Sequence, residues 1–182
     1  GRVASVTLNN RTAMENIVAH LAERGYRKLV HLAGQPDILD AQERARVFAD
    51  AVGKDSRLTG IVVQGAWTQA LAYSVVTEYL ETHRQPPDAF VCFNDPIALG
   101  VMEALKERRI AVPEEVGVTG WDDIPFASYA GLTTVHLPMV EMGNEACRLL
   151  LAQLDAKRPM SSSALARMLE MPVRVRQTSA GA

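Results

Sequence analysis

Apolar residues along the chain follow two alternating periods. Short runs rich in apolar and β-branched residues, at 3–8, 28–33, 61–64, 89–93 and 116–120, are separated by longer windows in which apolar positions recur every three or four residues. That alternation predicts βαβ units and an α/β fold with a doubly wound, mostly parallel sheet. In the first window Met14, Ile17, Val18 and Leu21 share a helical face behind a Thr12-x-x-Glu15 capping box, and Gly25 supplies the stop. The second opens on Asp40 and Glu43 and aligns Ala41, Ala45, Phe48 and Val52. Leu71, Ala72, Val75, Val76, Tyr79 and Leu80 form the stripe of the third. The fourth begins at Asn94-Asp95-Pro96, where Asp95 suits the cap and Pro96 the first turn, with Ile97, Val101, Ala104 and Leu105 facing inward.

After Gly120 the rhythm changes. A short strand at 132–135 and Pro138 lead into a helix at 139–156, whose stripe is Met142, Ala146, Leu149 and Leu150. Pro159 and the serines at 161–163 make a loop before a last strand at 168–176, in which Leu169, Met171, Val173 and Val175 alternate with Glu170, Pro172, Arg174 and Arg176. That pattern suits an edge strand with one wet face.

Composition narrows the function classes. With 182 residues, 48% of them hydrophobic and 22% charged, the chain is long enough for one sizeable core and too apolar to be disordered. The net charge is −2, from 19 basic and 21 acidic residues without long runs of either sign, so there is no nucleic-acid footprint and no membrane-binding face. Any DNA-binding element is expected elsewhere. Cys92 and Cys147 lie far apart within apolar runs and read as reduced thiols of a cytoplasmic protein. The start, GRVASVTLNN, lacks a signal-peptide pattern, and so abrupt a first strand suggests that something upstream has been removed.

Ligands of an open parallel sheet bind beyond the carboxyl ends of its strands, where loops and helix amino termini converge. The residues following the five strands are Asn9 and Asn10, then Gln35, Asp37, Asp40 and Arg44, then Trp67, then Asn94 and Asp95, then Trp121, Asp122 and Asp123. Carboxylates and a guanidinium bind adjacent hydroxyls by charge-assisted hydrogen bonds, while an indole stacks on an apolar ring face, so the set suits a polyhydroxylated or heterocyclic small molecule. Each residue also has a plainer reading: Asp95 as a helix cap, Trp67 as core or interface, Arg44 as a solvated helix residue. The histidines, His20, His31, His83 and His136, show no metal spacing. Dinucleotide and phosphate-loop glycine motifs and a serine nucleophile elbow are absent, so no cofactor and no catalytic residue are expected.

The segments GYRKLVHLAGQPD, ERARVF, PPDAFVCFNDPIALGVMEALKERRIAVPEEVGVTGWDDIPFA and LTTVHLP, in that order, resemble the lactose- and galactose-repressor family of bacterial transcription regulators. The resemblance runs over most of the chain. It implies one lobe of a two-lobed core like that of periplasmic sugar-binding proteins, without the amino-terminal headpiece that binds operator DNA. Residues 1–137 would form the carboxyl-terminal lobe, 138–167 a crossover segment belonging to the other lobe, and 168–182 the returning edge strand and tail. By the same resemblance Arg44, Asp122 and Asn94 contact the effector, Trp67 stacks on it, and Asp40 tunes which ligand is accepted. Tyr129 falls in a region that tends to face a dimer partner. The chain departs from the family pattern at Val47, where glycine is usual, at Gln42, where arginine is common, and between Ser128 and Leu132, where a proline-containing insert is missing.

The reading that results is an effector-sensing domain, homodimeric in the regulator, that binds a sugar or sugar derivative, with a purine as the second choice. A solute-binding protein of a transport system is the alternative, and a phosphoacceptor or enzyme domain reacting through Asp122 or Asp123 is the least favoured. Within VTGWDDIPFA, Asp122 is expected to grip the ligand and Asp123 to hold the turn through nearby backbone donors.

Overall fold

The computed structural model describes residues 4–64, 67–155, 161 and 164–181. The expected strand start at Val3, the helix end at Ala156, and Pro159, Ser162 and Ser163 of the expected loop lie outside these residues. In chain order the elements are β1 (Ser5–Leu8), α1 (Asn10–Glu23), β2 (Lys28–Leu32), α2 (Leu39–Lys54), β3 (Thr59–Val63), α3 (Gln69–Thr82) and β4 (Ala89–Cys92). There follow α4 (Asp95–Glu107), β5 (Gly117–Asp122), α5 (Pro125–Tyr129), β6 (Thr133–His136), α6 (Met139–Asp155), β7 (Ala166–Leu169), β8 (Val173–Arg174) and a 3₁₀ turn (Gln177–Ser179).

Six strands form the main sheet, in the order β3-β2-β4-β5-β6-β8, with every neighbouring pair parallel except the antiparallel β6 and β8. From β2 the chain winds outward to β3, then returns past β2 to β4 and continues to β5 and β6. With right-handed crossovers, that reversal puts α2 and α3 on opposite faces. Accordingly α1 packs with α2, and α3 with α4. The central strands are buried on both sides. On β2, β4 and β5 the residues Leu29, Ala89, Val91 and Trp121 face the α1–α2 core, while Val30, Leu32, Phe90, Cys92 and Val118 face the α3–α4 core. The expected mostly parallel α/β sheet is what forms, and its period-two patterning is masked because both phases of these strands are apolar.

Three expectations about the chain's ends are corrected. The first strand does not join the main sheet: β1 pairs in parallel with β7, from Ser5 opposite Ala166 to Leu8 opposite Leu169, and α6 packs on β1. The single last strand is two, because the chain leaves β7 at Glu170 and places Pro172 before β8, which pairs with β6 instead. The Thr12-x-x-Glu15 capping box is not used. Asn9 caps α1 by accepting the Thr12 N–H at 3.1 Å, and Glu15 turns outward to Lys54 at 2.9 Å. Gly25 does follow the end of α1 as expected, at φ 94°, a conformation glycine adopts without strain.

Candidate functional site

The strand order reverses between β2 and β4, so the crevice beyond their carboxyl ends is where an open α/β sheet offers a ligand site. Arg44 reaches this crevice from the second turn of α2. The residue is 5% exposed, and its guanidinium is held from several sides. The Nε–H donates to Asn10 Oδ1 at 3.2 Å and Nη1 donates to the Phe93 carbonyl at 2.8 Å. The guanidinium carbon stands 4.7 Å from the Phe93 ring centre and 4.1 Å from that of Trp121, within cation–π range of both. Burial lowers the Arg44 pKa to about 10, opposed by the nearby charges of Asp122, Asp40 and Glu43, so the side chain is a cation at neutral pH.

The acidic side of the crevice is Asp122, half-buried at the end of β5, with φ 108°. Burial raises its pKa to about 6, Arg44 pulls it down, and the carboxylates of Asp95 and Asp40 push it up. Asp122 and Arg44 are thus mutually felt charges facing one crevice. Asp40, exposed in the first turn of α2, is tied in indirectly: its Oδ1 accepts from the Asn10 amide at 3.1 Å, and Glu43 accepts from the same amide at 2.8 Å. Trp67, 37% exposed, leans on Phe93 with ring centres 5.8 Å apart and planes at 31°. The Phe93 ring therefore stands between an exposed indole and the buried guanidinium.

Asn94, and not Asp95 as expected, takes the capping role. Asn94 is the cap of α4, its Oδ1 accepting the Ile97 N–H at 2.9 Å, which leaves both of its amide N–H donors for a ligand. Asp95 is completely buried, accepting the Thr134 hydroxyl at 2.6 Å and the Ile124 N–H at 2.8 Å. Burial lifts its pKa to about 6 against those hydrogen bonds. It lies so close under Gly120 that a methyl group there would collide with its Oδ1 and with Leu132. Asp95 therefore pins the loop after β5 from below.

Asp123 is a support, as expected, but through side chains rather than backbone donors. Its two oxygens meet His136 Nδ1 at 2.9 Å and Arg176 Nη2 at 2.8 Å. Burial would raise its pKa, and the bonds from Arg176 and His136 outweigh that and hold it below the ordinary carboxylate value.

The sequence reading left two residues out of the candidate contacts. Phe93 closes an apolar strand and looks like core, yet it supplies both a ring and a carbonyl to Arg44. Asn10 was noted only for following the first strand. It bridges Arg44 to Asp40 and Glu43, while Trp121, noted beside the carboxylates, is fully buried under the guanidinium. The arrangement can bind and orient a polar molecule: donors on Arg44 and Asn94, an acceptor on Asp122, and an aromatic flank at Trp67. Among the described residues no cluster of three His, Cys, Asp or Glu could hold a metal ion.

Comparison with known proteins agrees with this architecture. Residues 18–179 match the family model of the periplasmic binding protein-like domain. The chain is 34% identical over 155 residues to the HTH-type transcriptional regulator AscG of Escherichia coli K12, covering 83% of this chain and 46% of that protein. The crystal structure of the Escherichia coli repressor ascG superposes with a TM-score of 0.84 at 31% identity, covering 96% of this chain and 63% of that one. To the HTH-type transcriptional repressor PurR of Vibrio atlanticus LGP32 the identity is 33% over 143 residues, 76% of this chain and 42% of that protein. The structure of a complex of the transcriptional regulator CelR with cellobiose has a TM-score of 0.84 at 25% identity, covering 97% of this chain and 54% of that one. The chain thus spans a little under half the length of the AscG and PurR sequences.

Proposed function

The chain belongs to the periplasmic-binding-protein-like domain family, in its lactose- and galactose-repressor branch, and from that premise we propose that it is the effector-sensing part of a transcription regulator. In this reading a small polyhydroxylated molecule, a sugar or sugar derivative, binds at the carboxyl edge of the main sheet. Arg44 and Asn94 donate to its hydroxyls, Asp122 accepts from them, Trp67 covers an apolar ring face, and Asp40 sets which substituents fit. One observation carries the reading: a buried guanidinium facing a carboxylate, with an exposed indole beyond the Phe93 ring, at the strand-order reversal. The cellobiose-bound regulator among its structural neighbours supports a sugar. A purine is the second choice, favoured by the exposed Trp67 ring on which a flat heterocycle would stack equally well.

The relatives matched are transcription regulators rather than enzymes or transport proteins, so neither catalysis nor solute transport is proposed. Among the described residues no helix is long and apolar enough to cross a membrane. We assign the whole regulator to the cytoplasm, as a homodimer that meets operator DNA through a headpiece beyond this chain. The exposed Phe126 and Tyr129 rings, 59% and 86% accessible, mark the face we assign to the partner subunit. In the assigned two-lobed core, 138–167 belongs to the second lobe, and β1 and β7 join it because they pair with each other and carry α6. The effector must bind the open and closed forms unequally, since equal binding shifts no population.

Titration of the complete regulator with mono- and disaccharides and with nucleobases, following Trp67 and Trp121 fluorescence and operator binding together, is the test. A response to a sugar that also alters operator affinity is expected. No response to any sugar or nucleobase, with operator binding unchanged, overturns the proposal.

A further inference from the structure

Three separate stretches meet at Asp123. The first is the loop that carries Asp122, where Asp122 and Asp123 both have positive φ, 108° and 57°, uncommon for residues with side chains. The second is the end of β6, from which the chain leaves through Pro138 into α6. The third is the return through Pro172 into β8. Backbone bonds stitch them together: the Leu137 N–H reaches the Asp122 carbonyl at 3.3 Å, and the His136 N–H reaches the Pro172 carbonyl at 2.8 Å.

Over these lie the side-chain bonds. Asp123, its side chain 12% exposed, takes His136 on one oxygen at 2.9 Å and Arg176 on the other at 2.8 Å. Arg176 is anchored in turn, its Nη1 donating to the Leu132 carbonyl and its backbone N–H to Thr133 Oγ1, each at 2.8 Å. The pair of positive φ values is the kind of local strain that persists only where surrounding contacts hold it. Those contacts come from the end of β6, where the chain leaves the main sheet for α6, and from the residues just after β8, the strand by which it returns.

We infer that Asp123, His136 and Arg176 form a clasp through which the two crossing segments set the backbone of Asp122, making His136 and Arg176 positioning residues for ligand recognition. The positioning role rests on Asp122 being a ligand contact, as proposed above; the clasp itself does not. Movement of the second layer relative to the main sheet pulls on 136–138 and 170–174, and the clasp passes that movement to the carboxylate. The coupling runs equally in the other direction, from an occupied Asp122 to the crossing segments.

The test is amide hydrogen exchange on the chain without ligand. Arg176→Gln and Asp123→Asn should each speed exchange at His136 and Leu137 about tenfold and leave the β2–β3 pair unchanged. The double variant should exchange no faster than Asp123→Asn alone, because that change already breaks the Arg176 link. Arg176→Lys, which keeps the charge, should recover part of the protection. Additive effects of the two variants, changes confined to 174–177, or a uniform rise that includes β2 and β3 would each overturn the clasp. In a second arm the complete regulator is titrated with cellobiose. The expected exchange pattern without cellobiose binding supports the clasp and counts against the sugar reading, whereas binding that Arg176→Gln leaves unchanged overturns the positioning role.

Discussion

The Arg44 guanidinium carbon and the Trp121 ring centre are 4.1 Å apart, and the indole is fully buried beneath the cation. Trp121 belongs to the same α1–α2 core as Phe48 and Met14, so the charged group that faces the crevice is seated directly on the main hydrophobic core. A lysine keeps the charge but lacks the planar fork that serves Asn10, Phe93 and the ring together. Arg44→Lys is therefore expected to destabilise the fold by about 1–3 kcal/mol and to weaken effector binding at least about tenfold. Urea unfolding and the fluorescence titration measure the two losses, and a variant that binds as tightly as the wild type removes Arg44 from the contact list.

Asp122 makes stability and binding run in opposite directions with pH. Its pKa is raised from 3.8 to about 6, so the folded chain holds a proton that the unfolded chain releases between those values. Its contribution to stability is therefore fully present below about pH 4 and is lost as pH rises through about 6. A ligand hydroxyl, by contrast, is best accepted by the ionised carboxylate. Effector affinity is expected to fall as pH drops below about 6, approaching tenfold per pH unit. Asp122→Asn should flatten this profile and weaken binding at neutral pH while leaving the variant no less stable there. Binding isotherms from pH 5 to 8 check it, within the stable range on the order expected for such domains.

The alternation of short apolar runs with helical windows was enough for the parallel sheet and for most of the helix faces, because those patterns follow from burial alone. It could not tell where β1 would pair. Ser5-Val6-Thr7-Leu8 has the period of a half-buried strand, and that period is satisfied as well by β7 as by an edge of the main sheet. The last strand was misread for a similar reason. Leu169 and Val173 do keep the alternation, but Leu169 pairs with Leu8 of β1 and Val173 with Val135 of β6, in different sheets, and only Pro172 in the sequence hints at the break. In the crevice, Arg44, Asp122 and Trp67 could be placed by their positions after strands and by resemblance to a family. Phe93 could not, because an aromatic residue closing an apolar strand has the same sequence signature whether it packs in the core or flanks a ligand.

Asn94 and Asp95 show the same limit and lead to a third prediction. Both are good capping residues, and their neighbour Pro96 suits either choice. The deciding partners, Thr134 and the Ile124 N–H, are distant in sequence. Asn94→Ala removes a cap and is expected to cost about 1 kcal/mol. Asp95→Ala strands a buried hydroxyl and a backbone N–H and should cost more, about 2–4 kcal/mol. Equilibrium unfolding of both variants ranks them, and a larger loss at Asn94 would contradict the anchoring role of Asp95.

The outward face of α6 gives the last prediction. Leu149 is 4% exposed where the helix rests on β1, but Leu150, Leu151 and Leu154 are 55%, 61% and 72% accessible, with Val140 at 72%. Met142 and Ala146, expected on the stripe, lie along the groove between the helix and β1 with Leu149 and Leu150. Each exposed leucine withholds burial energy of about 1.5–3 kcal/mol, and contiguous apolar surface of this kind favours association. The 182-residue chain on its own is therefore expected to self-associate in a concentration-dependent way. The double substitution Leu150→Glu with Leu154→Glu should shift it toward monomer in sedimentation velocity without changing its far-ultraviolet circular dichroism. Tyr129→Ser supplies the comparison, since that ring lies on a separate exposed face beside Phe126, their centres 6.5 Å apart. If Tyr129→Ser dissociates the chain and the α6 pair does not, the association belongs to the α5 face and the α6 leucines have no part in it.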